Sequence, residues 1–193
     1  MRAKQSIHIL LPLVVVLLFL VMALVSCRSE KVVMPIVPKT ALPGQMKRDD
    51  PLTCPTVPAQ PSQAEEGAYV YCQVCMTCHG DVGQGLDEWR KELDPPDNNC
   101  FQAKCHGKRH PPEGFEIPQY APVVMGSGVL DHYENAQALH DDMVETMPWW
   151  NPGYLTADEY WQITAFLLEA NGISLGPIEL NNITAPLIQI KTE

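Results

Sequence analysis

Basic residues are scarce in this sequence. Its 193 residues include 13 Lys and Arg against 23 Asp and Glu, a formal net charge of -10. The imbalance lies mostly in residues 62–172, which hold five basic and eighteen acidic residues. Nucleic-acid binding is disfavoured because phosphate needs a basic face. A partner protein with a basic patch suits this acidic segment better.

Long apolar runs are also few, and the one that stands out is residues 7–26. It follows Arg2 and Lys4, and a charged, then apolar, then small-residue order is typical of an export signal. It ends at Leu24-Val25-Ser26-Cys27, which resembles the lipobox of bacterial lipoproteins and implies a lipid on Cys27. A retained transmembrane anchor is the alternative for residues 1–26, since about 20 apolar residues cross a ~30 Å hydrocarbon core. Both interpretations place the rest of the chain at the cell membrane, facing the periplasm.

Residues 28–61 contain seven prolines, which block helix and discourage sheet. We predict that residues 27–61 are the lipidated N-terminus and a Pro-rich tether. The alternative is a segment folded along the domain or a partner, and Cys54 indicates that at least one point of it is pinned.

Helix signals dominate residues 62–172, and no pattern there resembles paired strands. Ser62 and Glu65 form a capping-box pattern that opens a helix ending near residue 75. A second helix is predicted over about 135–145. A third begins at Thr156, with Glu159 as its capping partner, and ends near residue 171. The sequence predicts an all-α domain over 62–172 and a C-terminal extension over 173–193.

The chain has seven cysteines, two of them in the run Cys75-Met76-Thr77-Cys78-His79. This is the C-x-x-C-H pattern of covalent haem attachment. The spacing lets two thiols reach two vinyl groups on one porphyrin edge while the next residue brings its imidazole under the iron. A thioredoxin-like pair would need a surrounding strand-helix-strand pattern, and an iron–sulfur run would need a cysteine where Val82 stands. A structural zinc site that includes Cys100 and Cys105 stays open.

A methionine near the last predicted helix offers a second ligand to a haem iron. Met147-Pro148 directly precedes that helix region, and a thioether is the usual second axial ligand in cytochromes c. Met125, in a Gly-rich loop, and Met143, on a predicted helix, are competitors. Together with the C-x-x-C-H run, these positions resemble the class I cytochrome c family over residues 62–172; the others that carry the likeness are Gly67, Tyr71, Leu155-Thr156, Glu159-Tyr160 and Phe166-Leu167-Leu168.

This resemblance implies three or more helices wrapped round one haem c. It assigns cofactor binding to Cys75, Cys78, His79 and Met147, with His79 and Met147 as the two ligands to the metal. It also implies that Gly67 and Tyr71 on the first helix pack against Tyr160 or Trp161 on the last.

A second pair of thiols departs from that family's usual loop. Cys100 and Cys105 are followed by His106, which is similar to the expanded C-x4-C-H haem site of some multihaem cytochromes. His110, His132 or His140 could complete such a site. A second haem needs its own apolar cover, however, and residues 94–118 offer little. We therefore predict a Cys100–Cys105 disulfide, with a second haem as the alternative, and a further bridge between Cys54 and Cys72.

With both axial positions filled, no iron site remains for a substrate, so we expect a single-electron carrier rather than an enzyme. The lipobox, the tether and the run from Met147 to Gly153 are most similar to the monohaem cytochrome c lipoprotein subunit of alternative complex III, a quinol-oxidising membrane assembly. That likeness implies a multihaem cytochrome or other redox subunits, and a soluble electron carrier or oxidase, as partners. The alternatives are a free lipoprotein shuttle, a cytochrome subunit of a sulfur-compound dehydrogenase, a peroxidase-like enzyme and a zinc-stabilised binding module.

Overall fold

The computed structural model describes residues 53–191 apart from residues 103, 104 and 113. This part of the chain contains α1 (Gln63–Val74), α2 (Met76–His79), α3 (Leu86–Lys91), α4 (Ala136–Thr146), α5 (Ala157–Ala170) and a 3-10 turn (Ala185–Leu187). It has no strand, only one isolated bridge between Asn135 and Gln189. The all-α prediction is therefore confirmed. No helix among these residues is long and apolar enough to cross a membrane. The predicted signal or anchor, Cys27 and most of the tether lie outside the described residues.

Side-chain caps begin the three longest helices. Ser62 accepts a hydrogen bond from the backbone N–H of Glu65, and the Glu65 carboxylate accepts one from the backbone N–H of Ser62. Thr156 and Glu159 repeat this exchange at α5, and Asn135 caps α4 through its side chain alone. These bonds satisfy N–H groups that have no partner within the helix. The three predicted helices are confirmed, while α3 was not foreseen.

α1 and α5 pack closely because Gly67 lies where they cross. A Cβ at Gly67 would stand 1.9 Å from the carbonyl oxygen of Gln162, so any larger residue would collide with backbone. One turn further along α1, the rings of Tyr71 and Phe166 pack with 5.2 Å between centroids. These contacts lie further along α5 than Tyr160 and Trp161, the positions that the resemblance implied.

The C-terminal extension is part of the core. Gln63 at the start of α1 exchanges two hydrogen bonds with the backbone of Leu180, at 2.8 and 2.9 Å. At the start of α4, the N–H of Ala136 donates to the carbonyl of Ile188 at 2.9 Å. The extension thus ties two helix starts together, and its buried side chains are Leu175, Leu180, Ala185 and Ile190.

One of the two predicted disulfides is formed. Cys54 and Cys72 are bonded, which confirms that bridge and fastens the segment before α1 to the helix. The predicted Cys100–Cys105 disulfide is wrong, because both residues are free thiols. Cys100 is half-buried with its sulfur 3.8 Å from the carbonyl oxygen of Asp97, whereas Cys105 is exposed, so the two side chains lie in different surroundings.

Candidate haem site

The C-x-x-C-H run forms a single helical turn directly after α1. The N–H of Cys75 donates to the carbonyl of Tyr71 at 2.8 Å, and the N–H of His79 donates to the carbonyl of Cys75 at 2.9 Å. Gly80, with φ +83°, then ends the turn, and the Tyr71 hydroxyl donates to its carbonyl at 2.8 Å. Buried Tyr71 thus holds both ends of the turn against the core.

His79 is buried in the form that a metal ligand needs. His79 is only 9% exposed, and its Nδ1 lies 2.9 Å from the carbonyl oxygen of Pro122. A carbonyl only accepts hydrogen bonds, so Nδ1 carries the proton and Nε2 keeps its lone pair. Burial lowers the pKa of His79, opposed in part by the Pro122 hydrogen bond. The result is a neutral imidazole with a fixed tautomer.

The two thiols of the turn are free and half-buried. Burial raises the pKa of Cys75 to about 12, and the nearby Cys78 adds to this effect. Burial also raises the pKa of Cys78, partly offset by a hydrogen bond from the Thr77 side chain. Redox-active cysteine pairs instead lie beside groups that lower a thiol pKa. The thioredoxin-like alternative is accordingly disfavoured.

A cavity of about 360 Å³ lies beside this turn. Cys75, Cys78, His79 and Met147 all line it, so the structure brings together the four residues that the sequence singled out. Trp149 and Trp150 also contribute to its wall, and the remaining lining is mainly apolar, including Val123, Val129, Leu130, Leu139, Ile163 and Leu167. Apolar surroundings of this kind exclude water from a bound cofactor.

The three candidate methionines have different positions. Met147 follows the last residue of α4 and lines the cavity, as does the more deeply buried Met143, whereas Met125 does not. The Tyr160 hydroxyl donates to the carbonyl of Met147 at 2.7 Å and accepts from the N–H of Gly153 at 3.0 Å. Tyr160 therefore fixes the loop that carries Met147.

The second cysteine pair lies outside this cavity, in the loop after α3. Cys100 packs at the edge of a small apolar cluster formed by Leu86, Ile117 and Ala121, which Cys78 also touches. Among the residues that the structure describes, no group of three or more His, Cys, Asp or Glu side chains is arranged to hold a metal ion. These residues therefore provide no set of ligands for the zinc site that was considered as an alternative.

The three histidines considered as partners for that pair are dispersed. His132 lines the cavity, His140 stacks on Trp161 with 3.5 Å between ring centroids, and His110 has its Nδ1 2.7 Å from the carbonyl oxygen of Pro111. None of these contacts is with Cys100 or Cys105.

The donor set around the cavity fits a covalently held haem. Two neutral thiols separated by two residues, a neutral imidazole and a thioether meet in one apolar space. Two groups that hold this set were not predicted from the sequence, namely the carbonyl of Pro122 and the hydroxyl of Tyr160. Pro122 lies 43 residues from His79, and no local pattern marks a carbonyl as a hydrogen-bond acceptor for a distant ring.

Comparison with known protein families agrees with this arrangement. The family described as cytochrome C oxidase, cbb3-type, subunit III matches residues 62–167, a segment that begins at the cap of α1 and includes most of α5. No curated protein and no solved structure matches the chain. The match covers more than half of the sequence, and a cytochrome c domain implies covalently bound haem c and electron transfer. This chain belongs to the cytochrome c family.

Proposed function

We propose that this chain is a membrane-anchored c-type cytochrome that carries single electrons outside the cytoplasm. Cys75 and Cys78 would hold haem covalently, and His79 and Met147 would supply the two protein ligands to its iron. The observation that carries this assignment is the convergence of these four residues on one apolar cavity. Bound haem supplies an iron that alternates between the ferrous and ferric states.

The protein's task on the His79 side is to orient the imidazole. The Pro122 carbonyl accepts a hydrogen bond from Nδ1–H of His79 at 2.9 Å, which leaves the Nε2 lone pair available to hold the iron. Hydrogen bonding at the second ring nitrogen also makes the ligating nitrogen more basic. Because the ring is already neutral and oriented, little rearrangement accompanies a change of iron charge.

The protein's task on the Met147 side is to hold a weaker ligand in place. Tyr160 binds the carbonyl of Met147 and the N–H of Gly153, so the loop between these residues is held at both ends. A thioether ligand raises the reduction potential. With His79 and Met147 both holding the iron, no position on it would remain for a substrate, which suits electron transfer.

Replacing each of the three methionines by leucine tests the ligand assignment. Met147→Leu should open an iron position, so the reduced variant should bind one more carbon monoxide per protein than the wild type. Met125→Leu is the matched control outside the cavity and should bind no more than the wild type. If Met143→Leu opens the site and Met147→Leu does not, the axial ligand is misassigned.

We further propose that residues 1–26 are an export signal, that Cys27 carries the lipid and that residues 27–61 tether the domain to the outer face of the cell membrane. The Cys54–Cys72 disulfide supports this placement because disulfides persist outside the reducing cytoplasm. Intact mass should show a lipidated Cys27 as the first residue. Cys27→Ser should leave the haem content unchanged while the protein leaves the membrane fraction. A mature chain that starts at Met1 would instead indicate a retained helix.

The same location suits a subunit of a quinol-oxidising assembly similar to alternative complex III. In this role the chain takes electrons from a multihaem cytochrome and passes them to a soluble carrier or an oxidase. Two features support it: the acidic domain suits a basic partner surface, and the cavity-lining Trp149 is 58% exposed, which offers an aromatic contact. Purification in mild detergent should recover a multihaem companion. Recovery of the cytochrome alone would favour a free shuttle.

A further inference from the structure

We infer that Asp142, held in place by Tyr133, is a negative charge in the wall of the haem cavity that lowers the reduction potential of the bound iron. Both residues line the cavity, and the Tyr133 hydroxyl donates a hydrogen bond to the Asp142 carboxylate. The inference rests on the electron carrier proposed above. It adds a residue that sets how strongly this carrier holds its electron.

Asp142 lies on the face of α4 that borders the cavity. Four residues of this helix line the cavity, and they follow one another at the three- and four-residue spacing of a single helical face: Leu139, Asp142, Met143 and Thr146. Met147, the proposed iron ligand, follows directly after the helix. Apolar side chains alone would exclude water from such a face. The carboxylate in the middle of it therefore places a charge beside the cofactor.

Tyr133 holds the carboxylate in this position. It lies just before α4, and its N–H donates to the carbonyl of Leu130, another cavity-lining residue, at 2.9 Å. Its ring packs against that of His132 with 4.0 Å between centroids. Burial raises the pKa of the Tyr133 hydroxyl, and the hydrogen bond to Asp142 and the charge of that residue raise it further. The hydroxyl therefore keeps its proton and remains a donor to the carboxylate.

No ion pair in the described part of the chain offsets the charge of Asp142. The ion pairs there are Lys91–Glu88 and His140–Asp141, and neither includes this carboxylate. Tyr133 supplies a neutral donor, which leaves the negative charge in place. Asp142 is also exposed, so water solvates the carboxylate and no cation is needed to keep it charged. The charge thus borders an apolar cavity on one side and solvent on the other.

A fixed negative charge in the cavity wall affects the two states of the iron differently. Oxidation adds one positive charge to a haem iron, and attraction between opposite charges favours the oxidised state. The charge of Asp142 therefore lowers the reduction potential, whereas a thioether ligand such as Met147 raises it. Because Asp142 also borders solvent, water and salt weaken the attraction. The potential should then lie below the value that the ligands alone would give.

Asp142→Asn tests the effect of the charge. Asparagine has nearly the same shape and keeps an oxygen that accepts from Tyr133, so the variant removes the charge and retains the hydrogen bond. Redox titration of the haem-loaded full chain should give a higher reduction potential than that of the wild type. Asp141→Asn is the matched control, because it removes the same charge from a side chain that is 58% exposed and does not line the cavity. Its shift should be smaller and should vanish first as salt is added.

Tyr133→Phe tests whether the tyrosine positions the charge. Without the hydroxyl the carboxylate can turn toward water, so the potential should rise part of the way toward that of Asp142→Asn. When Asp142 is already asparagine, the same tyrosine change should have almost no further effect. An equal shift with and without the carboxylate would overturn the role of Tyr133. A purely structural contact would lower the free energy of unfolding in urea and leave the potential unchanged.

The possible results separate this inference from the proposed function. An unchanged or lower potential in Asp142→Asn, or an equal rise in Asp141→Asn at every salt concentration, would overturn the role of Asp142 and leave the electron carrier intact. If Asp142→Asn does not fold, Asp142→Thr is the second variant, since Thr146 lies on the same helical face, and it should also raise the potential. A wild-type protein without haem would overturn the proposed function itself.

Discussion

Gly67→Ala is expected to destabilise the protein although alanine is the better helix former. The new Cβ would stand 1.9 Å from the carbonyl oxygen of Gln162, 2.4 Å from its carbonyl carbon and 3.0 Å from the nitrogen of Ile163. All three are backbone atoms, so relief requires α1 and α5 to separate. Overpacking costs about 1–3 kcal/mol, and contacts this short with backbone place Gly67→Ala at the upper end of that range. The higher helix propensity of alanine returns only about 0.5–1 kcal/mol.

The steric clash lowers the free energy of unfolding and the helix propensity of alanine raises it. The sign of the measured change therefore shows which effect is larger. Urea and thermal unfolding of the haem-loaded variant should show a loss of at least about 1 kcal/mol, equivalent to a fall in Tm of about 2–4 °C. Tyr69→Ala is the control, because Tyr69 lies on the same helix but is 41% exposed and should change stability little. A Gly67→Ala protein as stable as the wild type, or more stable, would refute the close crossing of the helices.

Three further changes probe the site and its frame. Tyr160→Phe removes hydrogen bonds of 2.7 and 3.0 Å from the loop that carries Met147; redox titration should give a lower reduction potential, with a weaker near-infrared band of the methionine–iron bond, and an unchanged potential would contradict a positioning role. Cys54→Ala/Cys72→Ala opens a bridge with a separation of 18 residues; because the bridge restricts the unfolded chain, its loss should lower the free energy of unfolding by about 3 kcal/mol, measured in urea, and no measurable loss would contradict this stabilisation. Leu180→Ala removes a side chain of a residue 1% exposed and should cost about 2–5 kcal/mol, whereas Leu187→Ala, 75% exposed in the same extension, should be neutral; equal effects would mean that the extension is not part of the core.

The features that could be predicted from sequence act over three or four residues. The caps at Ser62 and Thr156 each bond to a residue three positions on, and the C-x-x-C-H run closes within one turn. Their geometry is therefore contained in the local pattern. Met147 is the exception. Its role as a ligand was inferred from a family resemblance, and its position beside the cavity depends on how α4 packs against α5.

The features that escaped prediction depend on partners far along the chain or on very short elements. α3 has six residues, and Gly85 at its N-cap has no side chain to cap it, so neither periodicity nor capping marks it. The hydrogen bonds that join the C-terminal extension to the starts of α1 and α4 use its backbone groups, which carry no sequence signal. The predicted Cys100–Cys105 bridge was wrong because closeness in sequence does not set the direction of side chains, and the turn at Gln102 leaves one thiol half-buried and the other exposed.

The hydrogen bond between His79 and Pro122 joins the C-x-x-C-H turn to the far end of a long segment, which contains α3 and part of the loop after it. The segment that holds α3 and this loop is tied near the C-x-x-C-H turn: the N–H of Gly85, just before α3, donates to the carbonyl of His79 at 2.8 Å, and the carbonyl of Ala121, in the loop, accepts from the N–H of Leu86 at 3.1 Å. A third bond joins the N–H of Val124 to the carbonyl of Gly83 at 2.9 Å. The Pro122 carbonyl therefore lies between two fixed points, Ala121 and Val124, so the imidazole of His79 keeps its orientation although a long segment of chain separates the two residues.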